Sequence, residues 1–356
     1  MRPIYRKALS AAFGILTAVS VTRGQAPQGQ QNARAAARAA QLAIEKTVPQ
    51  LKVKEEILPL SIPGHTLGET EGVSMNAAGD LFVYSRTGSV GIARGGAAAE
   101  LFEFDPNLKF MKLWGPGNYA ASFAHSVRVD RHQNVWMIDE GSGMIVKFDP
   151  QGNVKMVLGR KLESIDYLQE HLERGEKDTD LHPVGAKGTF NRPTDVTWDP
   201  EDNIYVSDGY GNSRIVKIAP DGTWLKVVGT YGSGQDQFNT PHSIAYADGN
   251  IYVADRGNYR IQVYDTDLNY KKTITGVGMP WAVCVSPGAK QYLWSGDGMT
   301  GKIYKLDLSG KLLGWAQTSQ HQGQSMCLIH EMHCGPDGVI YRGACSLWNV
   351  DKISVQ

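Results

Sequence analysis

Three of the nine histidines stand at one recurring position of an internal repeat: His125, His242 and His330. A neutral imidazole is a good ligand for first-row metals. Three of them around one ion leave positions open for water or substrate, the arrangement of a catalytic zinc site. A second set falls one strand later in the same repeat: Arg86, Glu140, Tyr210 and Arg256. Two guanidinium forks suit a carboxylate, because each presents paired donors to two oxygens. A tyrosine beside them takes up a proton if nearby positive charge lowers its pKa. These residue types together predict metal-assisted chemistry on a small acid.

The repeat that must position them is legible in the chain. Asn203-Ile-Tyr-Val-Ser-Asp matches Asn250-Ile-Tyr-Val-Ala-Asp, and Pro193-Thr-Asp-Val and Pro241-His-Ser-Ile precede them. Each continues into a further apolar run, Arg214-Ile-Val-Lys-Ile or Arg260-Ile-Gln-Val-Tyr. Weaker copies end near Arg86, Asp139, Asp297 and Ala344. The copies recur about every 45 residues, a period typical of propeller blades. The spacing widens once, at the charged stretch 160–187, which reads as a partly helical surface loop. Short apolar runs with Gly, Asp and Pro turns predict an all-β chain, a six-bladed β-propeller with four antiparallel strands to a blade. The innermost strands then carry Glu71, His125, Thr194, His242, Trp281 and His330. Alternate blades lie roughly 120° apart, so histidines on the second, fourth and sixth converge on the axis. Asp139, Asp208 and Asp255 recur with the repeat and read as structural, bonding turn amides. The last copy has only three strands, at 329–334, 339–343 and 350–355. Sheets avoid an unpaired edge, so residues 52–60 are predicted to supply the missing outer strand and close the ring.

Upstream, Arg2, Arg6 and Lys7 precede an apolar run at 8–21. That is the pattern of a secretory signal, read here over 1–26, and the run is short for a membrane span. Residues 27–50, rich in Gln, Ala and Arg, read as a flexible tether with some helical tendency. The propeller is expected over 51–356, in an exported protein, periplasmic or secreted. Cys284, Cys327, Cys334 and Cys345 all lie in the last quarter. An oxidising compartment permits disulfides, but the sequence leaves the pairing open, free thiols included. Lys+Arg and Asp+Glu are 36 each, which argues against a nucleic-acid partner held by accumulated positive charge. A hydrophobic content of 42% excludes a mainly disordered chain.

The stretches around Pro193-Thr-Asp-Val, Val206-Ser-Asp-Gly-Tyr-Gly-Asn-Ser-Arg-Ile-Val, Pro241-His-Ser-Ile and Val253-Ala-Asp-Arg-Gly-Asn-Tyr-Arg-Ile-Gln resemble NHL repeats. From about residue 65 to about residue 350 the chain resembles the peptidyl-α-hydroxyglycine α-amidating lyase family. That resemblance implies zinc on His125, His242 and His330, a catalytic Tyr210, and active-site arginines at Arg86 and Arg256. It also implies a structural calcium near the axis, with Glu331 as its carboxylate and Val127 as a carbonyl donor. The implied substrate is a small molecule or peptide ending in a carboxylate, cleaved to an amide and glyoxylate. The sequence departs from the family at Leu328, Glu331 and Gly211, where methionine, aspartate and a disulfide cysteine are expected. Two other readings stay open: another metal-dependent lyase or hydrolase on the same site, and a non-enzymatic NHL-type binding propeller.

Overall fold

The computed structural model describes residues 28–87, 99–160, 187–319, 327–346 and 348–356. The expected signal at 1–26 and all but the ends of the 160–187 stretch lie outside those residues.

The second strands of the repeat are buried on both faces, which is why they read as unbroken apolar runs. Successive side chains point to opposite sides of a strand. Tyr205 therefore packs with Ile251 and Val253 of the following blade, while its neighbour Val206 packs with Trp136 and Ile138 of the preceding one. The described residues form six four-stranded antiparallel sheets, and one apolar cluster fills the gap between each neighbouring pair. The result is a six-bladed propeller.

The first strands, which line the axis, are Glu69–Met75, Ala124–Val129, Asp195–Trp198, Pro241–Ala247, Pro280–Val285 and Glu331–Cys334, in blades 1 to 6. The second strands return to the same rim and end at Arg86, Asp139, Asp208, Asp255, Asp297 and Gly343. Buried aspartates secure these ends. Asp139 accepts from the Ser122, Phe123 and Ser142 amides, Asp208 from that of Asn191, and Asp255 from that of Asn239.

Ring closure follows the expected route. Val53–Ile57 pairs antiparallel with Val350–Val355, from Val53 opposite Val355 to Ile57 opposite Asp351. The Leu58 amide extends the ladder to the Val350 carbonyl at 2.9 Å, and the Leu58 side chain is buried. Deleting residues 51–60 opens blade 6 and exposes that contact. The expected result is a melting temperature lower by on the order of 10 °C. An unchanged thermal transition would show that the strand does not close the ring.

The segment expected as a flexible tether is ordered instead. Gln28–Glu45 is an α-helix whose C-terminal end docks on blade 5. Glu45 accepts from Lys302 Nζ at 2.6 Å and from the Tyr304 hydroxyl at 2.8 Å, and the Gln41 amide meets the same hydroxyl. A buried carboxylate needs such partners, and blade 5 supplies them. No helix among the described residues is long and apolar enough to cross a membrane. The four cysteines form two disulfides. Cys284–Cys334 joins the first strands of blades 5 and 6, and Cys327–Cys345 lies beside the pocket described next.

Candidate active site

A backbone device aims the axial residues. The pairing of first and second strands slips at Thr70/Gly72, Ala124/Ser126, Pro241/Ser243 and Pro280/Ala282. Each slip is a bulge, and the extra residue is Glu71, His125, His242 or Trp281. A bulge re-aims one side chain without breaking the sheet. His330 sits immediately before the first strand of blade 6, and its amide donates to the Gly343 carbonyl.

The three imidazoles converge as the spacing predicted. Their ring centroids are 4.6, 4.7 and 4.9 Å apart, and all three are buried. One nitrogen from each lies within 4.8 Å of the other two. Tautomers follow from the outer contacts. His242 Nδ1 donates to the Trp281 carbonyl at 2.7 Å, and His330 Nδ1 donates to the Glu71 carbonyl at 2.8 Å. His242 therefore turns Nε2 inward as a lone-pair donor, whereas His330 Nε2 lies 2.9 Å from the Glu71 carboxylate, with which a bound ion would compete. His125 is buried against the Thr194 backbone, and among the described residues neither ring nitrogen makes a hydrogen bond of good geometry, an expensive state for an imidazole unless an ion takes it up. Burial, reinforced by neighbouring positive charge, holds His125 and His242 well below the usual imidazole range. They are neutral, as metal ligation requires. The imidazoles and the layer beside them enclose a void of about 10 Å³, lined also by Asp195 and Glu331. That is room for one small ion or a single water. The residues fit a three-histidine metal site.

Next to it opens a pocket of about 420 Å³, lined by Arg86, Glu140, Arg192, Tyr210, Trp281 and His330 among others. The Cys327–Cys345 disulfide forms part of its wall. The Tyr210 hydroxyl stands 3.0 Å from His242 Nε2 and accepts from an Arg256 terminal nitrogen at 3.2 Å. Two guanidiniums lie close to its ring, Arg192 at 4.5 Å and Arg256 at 5.0 Å from the centroid. Burial pushes the Tyr210 phenol up, and Arg256 and Arg86 oppose that without overcoming it. The arginines alone thus do not produce the lowered pKa that the sequence led us to expect.

The two expected arginines differ in kind. Arg86 faces Glu71 at 3.0 Å, Glu69 at 3.3 Å and Glu140 at 3.5 Å, donates to the Ala124 carbonyl and stacks on Phe123. Three carboxylates already compensate its charge. Arg256 touches Tyr210 and the face of Trp281 and has no carboxylate partner among the described residues. It is the guanidinium with charge to offer a ligand.

Sequence reasoning assigned no role to Glu71 or Arg192. Glu71 is fully buried between Arg86 and His330 Nε2, the latter at 2.9 Å. Burial raises its pKa, but His330 and Arg86 outweigh that and hold it below the usual carboxylate range. Its shared register with the histidines was the available signal. Arg192 is bonded to Glu140 and has a positive φ of 62°, a conformation few non-glycine residues adopt.

The implied calcium position does not fit. The Glu331 carboxylate expected to hold the ion already accepts from the Val73 and Val127 N–H groups, at 2.9 and 3.4 Å. The Arg128 guanidinium lies against both Glu331 and Asp195.

The family model for the NHL repeat matches residues 190–218 and 238–264, which take in most of blades 3 and 4 without their outer strands, Trp224–Val228 and Tyr270–Thr275. Two of the six blades thus match the NHL repeat. Mouse NHL repeat-containing protein 3 is 33% identical over 196 residues, 52% of this chain and 51% of that protein. A probable peptidyl-alpha-hydroxyglycine alpha-amidating lyase of Caenorhabditis elegans is 26% identical over 243 residues, 63% of each chain. The NHL propeller thus spans about half the length of the first relative and under two thirds of the second. Among solved structures, a streptogramin B lyase aligns with a TM-score of 0.52 at 14% identity, covering 86% of this chain and 98% of that one. At that identity the likeness is one of fold. The sequence resemblance to amidating lyases and the six-bladed architecture are both upheld by these relatives.

Proposed function

We propose that this NHL propeller is an exported zinc-dependent lyase that cleaves the N–C bond of α-hydroxyglycine-type substrates to an amide and glyoxylate. One observation carries the reading: three buried imidazoles cluster beside the Tyr210 hydroxyl, which Arg256 contacts, and Tyr210 and His330 line the adjoining pocket. Sequence likeness to amidating lyases supports the reaction type. Two disulfides, which persist in oxidising compartments, support export.

His125, His242 and His330 would hold the zinc. When bound, that ion supplies positive charge that polarises a substrate hydroxyl and eases loss of its proton. The chain's own groups do the rest. Arg256 binds the substrate carboxylate and fixes the reacting carbon beside Tyr210. As a phenolate, Tyr210 Oη takes the hydroxyl proton and passes it to the departing nitrogen; burial disfavours that form, so it depends on the positive charge of Arg256, Arg86 and the bound ion together. The C–O bond becomes C=O as the C–N bond breaks, its electron pair passes to nitrogen, and the nitrogen collects a proton. Atoms and electrons balance with no oxidant, reductant or added water. Glu71 and Glu140 hold Arg86 beside the pocket, where its charge faces the developing glyoxylate.

The test is glyoxylate release from an N-acyl-α-hydroxyglycine by the zinc-loaded chain. Equimolar amide and glyoxylate are expected; intact substrate after prolonged incubation would end the lyase reading. Arg256→Ala is expected to lower kcat/KM for the free acid by roughly 30-fold to a few thousand-fold, from about 2–5 kcal/mol of lost charge pairing. The neutral ester, a poor substrate from the start, should lose far less. Equal turnover of acid and ester by the parent chain would remove the carboxylate handle from the mechanism.

A further inference from the structure

Along the first strands, just past the histidines, a second layer of polar groups crosses the axis. Arg128, largely buried, uses all three guanidinium nitrogens there. Nε donates to Asp195 Oδ1 at 2.8 Å, one terminal nitrogen donates to Asp195 Oδ2 at 2.6 Å and lies 3.0 Å from Glu331 Oε1 as an ion pair, and the other donates to the Met332 carbonyl at 3.0 Å. We propose that Arg128 is the resident cation of the propeller axis, doing for this chain what a divalent ion between Asp195 and Glu331 would otherwise do.

The donor inventory supports this. Calcium takes six to eight oxygens whose lone pairs are free to face it. Here every carboxylate oxygen of the layer already faces N–H or O–H donors. Besides Arg128, Asp195 Oδ1 receives the Val196 amide at 2.8 Å, with Ser126 Oγ 3.0 Å away. Asp195 Oδ2 receives Ser243 Oγ at 2.8 Å and the Ile244 amide at 3.2 Å. Glu331 Oε1 receives Ser126 Oγ at 2.7 Å, and Oε2 receives the Val73 and Val127 amides at 2.9 and 3.4 Å. A divalent ion would have to displace these donors and settle against a fixed positive charge.

The same bonds reach every blade. Val73 belongs to blade 1, Ser126 to Arg128 to blade 2, Asp195 to blade 3, Ser243 and Ile244 to blade 4, and Glu331 and Met332 to blade 6. The Val283 amide of blade 5 joins through Ser243 Oγ at 3.1 Å. The guanidinium and its two carboxylates therefore tie six first strands together where they approach most closely. Arginine suits this role because its planar fork serves several acceptors at fixed angles, which a lysine ammonium cannot match.

This inference is independent of the lyase reading, and its test needs no activity assay. Calcium content and thermal melts of the purified chain come first. The parent should carry far less than one equivalent of calcium, and millimolar calcium should leave its melting temperature unchanged. Arg128→Ser opens space and leaves two carboxylates without their cation. It should melt roughly 10 °C lower and recover part of that loss with calcium but not with potassium. Arg128→Lys keeps a positive charge and should stay indifferent to calcium. Stoichiometric calcium in the parent, or a parent melting temperature that climbs with added calcium, would overturn the proposal. The parent measurements decide it even if Arg128→Ser does not fold.

Discussion

Alanine at His125, His242 or His330 is expected to strip the metal and the activity from the chain together. Apparent affinities of four-ligand zinc sites correspond to about 10–16 kcal/mol, so one ligand in such a set accounts for roughly 3–4 kcal/mol. Losing one imidazole should therefore weaken binding by about 10²–10³-fold or more. The propeller itself should survive. The histidines face the channel and belong to none of the apolar clusters between blades. Elemental analysis after dialysis, with far-ultraviolet circular dichroism as the folding control, separates the two effects. His132, exposed and paired with Asp202, is the control histidine, and its alanine variant should keep both metal and activity. Full metal occupancy in all three channel variants would mean that the imidazoles only line a wet channel. The binding-propeller reading would then gain.

The convergence of these histidines was legible because a propeller converts sequence register into angular position. Once the copies were aligned, the shared register of His125, His242 and His330 fixed where they meet. The closing strand was legible for a related reason: a three-stranded last copy leaves an edge that some other segment must cover. What stayed hidden depends on directions that register does not encode. Bulges at Glu71, His125, His242 and Trp281 turn those side chains toward the axis, and no residue pattern marks them. Cys284 and Cys334 pair because neighbouring first strands bring them together across 50 residues of sequence. The 27–50 segment looked like a tether because its composition is polar. Its order comes from Gln41 and Glu45, which find Tyr304 and Lys302 on a blade far away in the chain.

The arginines show the same limit more sharply. From spacing alone Arg86 and Arg256 looked alike, two cations on one rim. Glu69 and Glu71 come from the first strand of the same blade as Arg86, and Glu140 from the next blade, and together they surround Arg86. Only the folded ring shows that one guanidinium is compensated three times and that the other has no carboxylate partner among the described residues. The same holds for Arg128. Its position three residues after His125 is visible in the sequence, but its partners lie on blades 3 and 6.

Tyr210→Phe should cost about 10²–10⁴-fold in turnover, the usual contribution of a positioned acid–base group. The substitution keeps the ring, so its contacts with the Arg192 and Arg256 guanidiniums are preserved. It removes only the oxygen that stands 3.0 Å from His242 Nε2 and 3.2 Å from Arg256. Metal content should therefore be unchanged, because His242 keeps its Nδ1 bond to the Trp281 carbonyl and its inward Nε2. KM should move little if Arg256 carries most of the substrate binding, so the loss should fall on kcat. This split separates a proton-transfer role from a structural one. Lost packing or a misplaced Arg256 would raise KM, and a damaged ligand set would lower metal content. A Tyr210→Phe chain with normal kcat and full metal would exclude the phenol as the base. Proton transfer would then fall to a carboxylate of the pocket, with Glu71 the first to test. It is ionised by its neighbours, buried, and 2.9 Å from His330 Nε2.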